Sequence, residues 1–241
     1  MAQRKIQFIN GEIYHVVLRT IDGIKLFRDK QDYLRMIHNL FEFNDINPVP
    51  SVFRMNYCRH LRFNVTRKDL VTSERLRQRQ KRKLLVEILV FCLMPTHIHL
   101  LLRQVQENGV SKFMKKFGGY VLYYNKKYER KGHLFQNKFQ AVHIRTNNQL
   151  RTVFVYIHSN PIAIIFPGWK EKGIKDFKKA VDFIENYKWS SYLDYLGKSN
   201  FPSITNREFF KKVIGDAKKC QEFVNDWLRY KHEISSDIAL E

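Results

Sequence analysis

The stretch from Leu84 to Leu102 fixes the centre of whatever this chain folds into. Leu84 to Met94 is a near-continuous apolar run, Pro95-Thr96 makes a short break, and His97 to Arg103 continues as a second run. Both read as β-strands. The stretch is also the longest candidate for a membrane span. Glu87, Pro95, Thr96 and two histidines break it well short of the roughly 18 apolar residues a span needs. Alternate side chains of a strand share a face. His97 and His99 therefore point the same way, and Ile98 points into the opposite layer.

The rest of the chain arranges itself around this pair. Ile13 to Leu18 is β-branched and aromatic enough for a strand, and Asp22-Gly23 marks a turn after it. Asp29 caps a helix running to about Asn44, with Tyr33, Met36, Ile37, Leu40 and Phe41 on one face, and Asn47-Pro48-Val49-Pro50 ends it. Val110 to about Tyr128 reads as one helix striped by Phe113, Phe117, Tyr120, Val121 and Tyr124. Gly132 interrupts, and Phe139 to Ile144 is another strand. Asn147 or Asn148 caps a helix from Gln149 to Asn160, stopped by Pro161. The order βαββαβ is the split βαβ, or ferredoxin-like, plan of an α+β fold: an antiparallel sheet with helices on one face. The helix ending at Asn160 is then an addition beside the sheet. Residues 1–167 form the expected principal domain, and 168–241 a C-terminal helical extension of mixed charge.

Charge narrows the partners. The 241 residues carry 43 Lys and Arg against 23 Asp and Glu, a net charge of +20. Such a surface favours polyanions, because each neutralised phosphate releases condensed counterions. Nucleic acid fits this better than an anionic membrane surface. From Arg54 to Lys83, eleven basic residues, Arg77, Arg79, Lys81 and Arg82 among them, face only Asp69 and Glu74. This segment is either a phosphate-contacting arm or a solvated helix and loop. Its Phe53, Tyr57 and Phe63 either stack on unpaired bases or belong to the core. Three widely separated cysteines, Cys58, Cys92 and Cys220, fit neither a disulfide framework nor a zinc ribbon. With no apolar leader in the first residues, the expectation is a soluble protein of a reducing compartment.

Two constellations carry chemistry. Paired imidazoles such as His97 and His99 can hold a divalent ion and leave positions open for phosphate oxygens; the alternative is a pair of histidines on an exposed strand face. In Tyr156-Ile157-His158-Ser159-Asn160-Pro161, positions i and i+4 of a helix share a face, so Tyr156 and Asn160 project together. A phenol is a competent nucleophile when deprotonated or held in line with its target; the alternative, which the pair taken alone favours, is a core tyrosine and an asparagine at a helix C-terminus. His158 lies off that face and reads as structural or DNA-facing rather than as a ligand.

Taken in order, Tyr14-His15-Val16-Val17, Met94-Pro95-Thr96-His97-Ile98-His99-Leu100-Leu101, Gly132-His133-Leu134-Phe135-Gln136-Asn137-Lys138, Tyr156-Ile157-His158-Ser159-Asn160-Pro161 and Trp189-Ser190-Ser191-Tyr192 form a series. This series resembles the REP-associated tyrosine transposases, relatives of the single-strand insertion-sequence transposases in the HUH superfamily. The resemblance spans most of residues 10–197. It implies that His97 and His99 are metal ligands, Asn160 occupies the third-ligand position, and Tyr156 is the nucleophile. It further implies Mg²⁺ or Mn²⁺ as cofactor, hairpin-forming single-stranded DNA as partner, and nicking and joining through a 5′-phosphotyrosine. A cytoplasmic, nucleoid-associated protein of bacterial type follows from the same likeness. Arg19, Lys115, Lys116, Lys138 and Arg145 are candidates for phosphate contact near the site, general solubility being their other reading. The basic stretch from about 47 to 83 is longer than the usual link in the family, and the element after Leu196 is not assigned by the resemblance; both bear on DNA specificity, while the catalytic set is intact. A hairpin-binding regulator without transfer chemistry and a water-using metal nuclease are the rival classes. Monomer and homodimer, and a tyrosine acting within its own subunit or in a partner's, both remain open.

Overall fold

The computed structural model describes residues 6–47, 82–136 and 138–234, the side chains of 230–234 excepted. Arg77, Arg79 and Lys81, with Phe53, Tyr57, Cys58 and Phe63, lie outside the described residues. Four strands, β1 (Ile13–Arg19), β2 (Val86–Met94), β3 (His97–Gln104) and β4 (Gln140–Ile144), form one sheet in the order β2-β3-β1-β4. Every neighbouring pair is antiparallel. This is the strand order of the expected ferredoxin-like plan.

The apolar runs build the centre of that sheet. Met94 pairs with His97, so Pro95-Thr96 alone makes the turn between β2 and β3. A bulge between Ile88 and Val90 puts one extra residue, Leu89, into β2. Side-chain parity switches there. Val86 and Ile88 share a core with Phe91 and Leu93, whereas Leu89, Val90, Cys92 and Met94 face the other way. Both faces of β2 are buried, which is why its sequence shows an unbroken apolar run rather than alternation.

The first core lies under the two crossover connections. Tyr14, Val16 and Leu18 of β1 and Ile98, Leu100 and Leu102 of β3 pack against α1 (Lys30–Phe43), α2 (Gly109–Lys115) and α3 (Gly118–Lys127). Asp29 caps α1 as expected, in a capping box with Asp32. The single helix expected from Val110 to Tyr128 is two helices. Between them Phe117 N–H bonds to Met114 O and Tyr120 N–H to Phe117 O, the tighter i to i−3 pattern. Gly118-Gly119 favours the break, since each glycine loses helix propensity relative to Ala.

The second face is covered too, where helices on one face alone were expected. Helix α4 (Asn147–Ser159) lies against β2 and β3. Its cap is Thr146, paired reciprocally with Gln149, rather than Asn147 or Asn148. The chain then continues as α5 (Ile162–Ile165), α6 (Trp169–Lys172), α7 (Phe177–Asn186), α8 (Tyr192–Tyr195), α9 (Arg207–Val213) and α10 (Ala217–Ile234). Trp169, Ala180, Ile184, Tyr192, Phe210, Val224 and Leu228 join Leu101, Phe154 and Ile157 in this second core. Residues from both sides of 167/168 therefore share one apolar cluster. The reason lies in the sheet: a face carrying Leu89, Val90 and Leu101 cannot be left in water without losing their burial, about 25 cal/mol per Å².

The Trp189-Ser190-Ser191 junction runs along the outer edge of β2. Leu93 N–H bonds to Trp189 O and Ser191 N–H to Phe91 O, so this edge of the sheet is partly paired. Ser191 Oγ also accepts from Phe91 N–H at 3.1 Å and lies 2.9 Å from His158 Nε2. His158 is fully buried, and its burial lowers its pKa to about 3. Of its two readings, the structural one holds. Cys92 and Cys220 are both free and buried. Among the described residues no helix is long and apolar enough to cross a membrane.

Candidate active site

The strand alternation expected at His97-Ile98-His99 is observed. Ile98 is fully buried in the first core, and the two histidines look onto the second face. Register sets their neighbours. Arg19 pairs with His97, Val17 with His99 and His15 with Leu101, so Arg19 and His15 stand on the same face as the histidine pair. The His97 and His99 rings are 4.8 Å apart.

Helix α4 delivers the second constellation. Tyr156 and Asn160, one helical turn apart, enter the same cavity as His97 and His99. This cavity, of about 330 Å³, is completed by Arg19, Met94, Ala163 and the run Gly168 to Glu171. The Tyr156 ring lies 5.7 Å from His99 and 5.8 Å from His15, edge-on to both. Asn160 Nδ2 donates to the carbonyl of Tyr156 at 2.9 Å. That bond fixes the amide and leaves Oδ1 as the group able to accept or ligate.

His15 sits in one of the sequence motifs, where spacing assigns it no role, and it is part of this site. Its Nε2 lies 3.0 Å from His99 Nδ1, with both side chains 1 % exposed. When His99 Nδ1–H donates to His15 Nε2, His99 Nε2 keeps its lone pair. That Nε2 is buried with no hydrogen-bond partner. Burial, then the charges of Arg19 and Lys170, hold the pKa of His15 at about 4. Burial, followed by His15, His97, Lys170 and Arg19, holds His99 well below its ordinary value. Both imidazoles are neutral at pH 7, the form that binds metals. His97 Nδ1 lies 3.1 Å from Thr96 Oγ1, which orients the second ring.

These donors fit a divalent cation. An orphaned imidazole nitrogen in a nearly dry site is costly unless something binds it. Among the described residues no three His, Cys, Asp or Glu side chains gather as a metal cluster. His97, His99 and Asn160 Oδ1 are the groups of this cavity that could hold such an ion, with substrate or water oxygens available to complete its shell. A site with open positions of this kind suits catalysis rather than structure.

Lys170 carries no signal in the sequence. Its Nζ donates to the phenol oxygen of Tyr156 at 3.0 Å and stands 4.3 Å from the ring centroid. Helix α6 brings it there by way of α5 and the left-handed turn at Gly168, a path no spacing rule encodes.

The candidate phosphate contacts divide. Arg19 lines the cavity. Lys115, Lys138 and Arg145 are exposed. Lys116 is held by the carbonyls of Asp45 and Asn47, and Arg82 by those of Phe41 and Asn44, with its guanidinium over the Phe41 ring. Lys116 and Arg82 thus clasp the end of α1.

Residues 48–160 match the family model described as "Transposase IS200 like". No curated protein matches the chain. Among solved structures, one of a REP-associated tyrosine transposase bound to a REP hairpin is similar at 15 % identity and a TM-score of 0.44, covering 86 % of this chain and 94 % of that one. The segment similar to the IS200-like transposase model contains both histidines of β3 together with Tyr156 and Asn160.

Proposed function

We propose that this protein is a divalent-metal-dependent transferase of single-stranded DNA, acting through a covalent 5′-phosphotyrosine on Tyr156. The observation that carries this reading is the meeting of Tyr156 and Asn160 with His97 and His99 in one cavity. A space of about 330 Å³ accepts a phosphodiester and its sugar but not a double helix, which favours a single strand.

His97, His99 and Asn160 would hold Mg²⁺ or Mn²⁺, which when bound would supply Lewis-acid polarisation of the scissile phosphate. Arg19, on the cavity wall, neutralises a backbone phosphate. The phenol oxygen of Tyr156 attacks phosphorus, the bond from phosphorus to the 3′-oxygen breaks, and the phenol proton ends on the released 3′-hydroxyl. Because the phosphodiester is conserved as a phosphotyrosine, a second 3′-hydroxyl can reverse the step and join strands. His15 keeps His99 in the ligand tautomer. The ordered motif series supports kinship with the REP-associated group, with a hairpin-forming repeat as the target. Exposed Lys115, Lys138 and Arg145 are suited to following the backbone, each contact steepening the salt dependence by roughly 0.7 for a single strand.

The test uses oligonucleotides labelled at either end, each carrying a hairpin, with Mn²⁺. The reading requires a denaturant-resistant protein adduct on the 5′-phosphate side, lost in Tyr156→Phe with binding retained. Cleavage that survives the substitution makes the protein a water-using nuclease. Tight binding without cleavage by either form makes it a hairpin-binding regulator.

A further inference from the structure

Lys170 lies beyond the segment matched by the family model, yet it is the side chain that touches the phenol oxygen of Tyr156. Its placement is built in. Gly168 adopts a left-handed φ of 74°, which turns the chain into α6. Trp169, 2 % exposed, anchors that turn in the second core, edge-on to Trp227 of α10 at 6.3 Å. With its neighbour locked in this way, Lys170 reaches back over the Tyr156 ring.

Resting on the strand-transfer reading above, we infer that Lys170 is a catalytic residue whose ammonium group donates a hydrogen bond to the Tyr156 oxygen through both halves of the reaction. In cleavage the bond holds the phenol oxygen in place as the bond from oxygen to phosphorus forms and the phenol proton leaves with the 3′-oxygen. In joining, a 3′-hydroxyl attacks phosphorus, its oxygen bonds there, and the bond from phosphorus to Tyr156 breaks. The departing oxygen then carries developing negative charge, met by Lys170 until the hydroxyl proton arrives. A preplaced donor at an atom that gains charge lowers that barrier without strengthening ground-state binding. The C-terminal helices thereby contribute to the chemistry, because α10 and α6 together position this amine.

The test compares the full chain with K170M and K170R, in Mn²⁺, on a fluorescent pool of single-stranded oligonucleotides carrying a short hairpin between randomised tails. Adduct formation at saturating DNA, release of the isolated adduct by a 3′-hydroxyl oligonucleotide, and hairpin affinity are each measured. K170M is expected to slow both chemical steps roughly 100-fold while leaving affinity within about threefold, and K170R to recover part of the rate. K170M reacting at the wild-type rate overturns the inference. So does loss of DNA affinity and melting temperature together in both variants, which would make Lys170 a structural contact. A wild-type chain that forms no adduct overturns the strand-transfer reading itself, and the role of Lys170 with it.

Discussion

His15 Nε2 and His99 Nδ1 face each other at 3.0 Å across two antiparallel strands, their rings nearly parallel at 12°. This contact engages Nδ1 of His99 and leaves Nε2 as its nitrogen without a hydrogen-bond partner. Removing it frees the ring and the tautomer. His15→Phe should raise the Mn²⁺ concentration needed for half-maximal adduct formation by about 10- to 100-fold, with hairpin binding in chelator unchanged. A titration curve that superimposes on the wild type would contradict a supporting role for His15.

Neutral buried histidines tie stability to pH. Those of the unfolded chain take up protons near 6.5, whereas burial, then Arg19 and Lys170, lower His15 to about 4, and burial lowers His158 to about 3. Between these values the unfolded state binds more protons. The stabilisation is complete above the unfolded pKa and is lost as pH falls toward the folded ones, each histidine losing about 2 kcal/mol by pH 5. Thermal melting in chelator should therefore show a clear fall in Tm from pH 7.5 to pH 5, values chosen to bracket roughly the histidine range. A flat profile would contradict neutral burial.

Asp32 is a fully buried carboxylate that joins α1 to α3. It accepts from Arg28 N–H at 2.8 Å, Tyr123 OH at 2.9 Å, Tyr128 OH at 2.6 Å and Lys127 Nζ at 2.7 Å. Asp32→Ala leaves these donors unmatched and should cost about 3 kcal/mol in urea unfolding. The cluster lies in the first core, away from the cavity lined by Tyr156, so the rate of adduct formation per folded molecule should hold. A stability loss below about 1 kcal/mol would show that water replaces the carboxylate.

A backbone contact gives a further check. A Cβ on Gly109 would sit 2.1 Å from the Leu85 carbonyl oxygen, where helix α2 starts against β2. Backbone cannot swing aside as a side chain can, so Gly109→Ala should destabilise by about 2 kcal/mol in the same urea experiment. Wild-type stability would mean that α2 can shift off the strand.

What was legible in the sequence was whatever depends on period. His97 and His99 share a face because strands alternate, and Tyr156 and Asn160 because helices repeat every three to four residues. The meeting of the two pairs was expected only from the family likeness, since it depends on how α4 lies on the sheet. The contact of His15 with His99 requires the register of β1 on β3, and Lys170 requires the path of α6, neither of which spacing encodes. Some misses were local and readable. Gly118-Gly119 announced the break between α2 and α3, masked by an aromatic stripe that runs through it. Thr146 with Gln149 is a capping box that two neighbouring asparagines obscured. The covered second face followed from tertiary need: Leu89, Val90, Cys92 and Leu101 lie on it, and α4 and the C-terminal helices bury them.

The most direct test of the central claim locates the nucleotide on the protein. Wild-type protein incubated with hairpin oligonucleotide and Mn²⁺ is denatured, digested with nuclease and protease, and its peptides are sequenced by mass spectrometry. The account predicts a 5′-phosphonucleotide on Tyr156, absent in Tyr156→Phe. Nucleotide on any other residue, or cleaved DNA with no modified peptide, would contradict it.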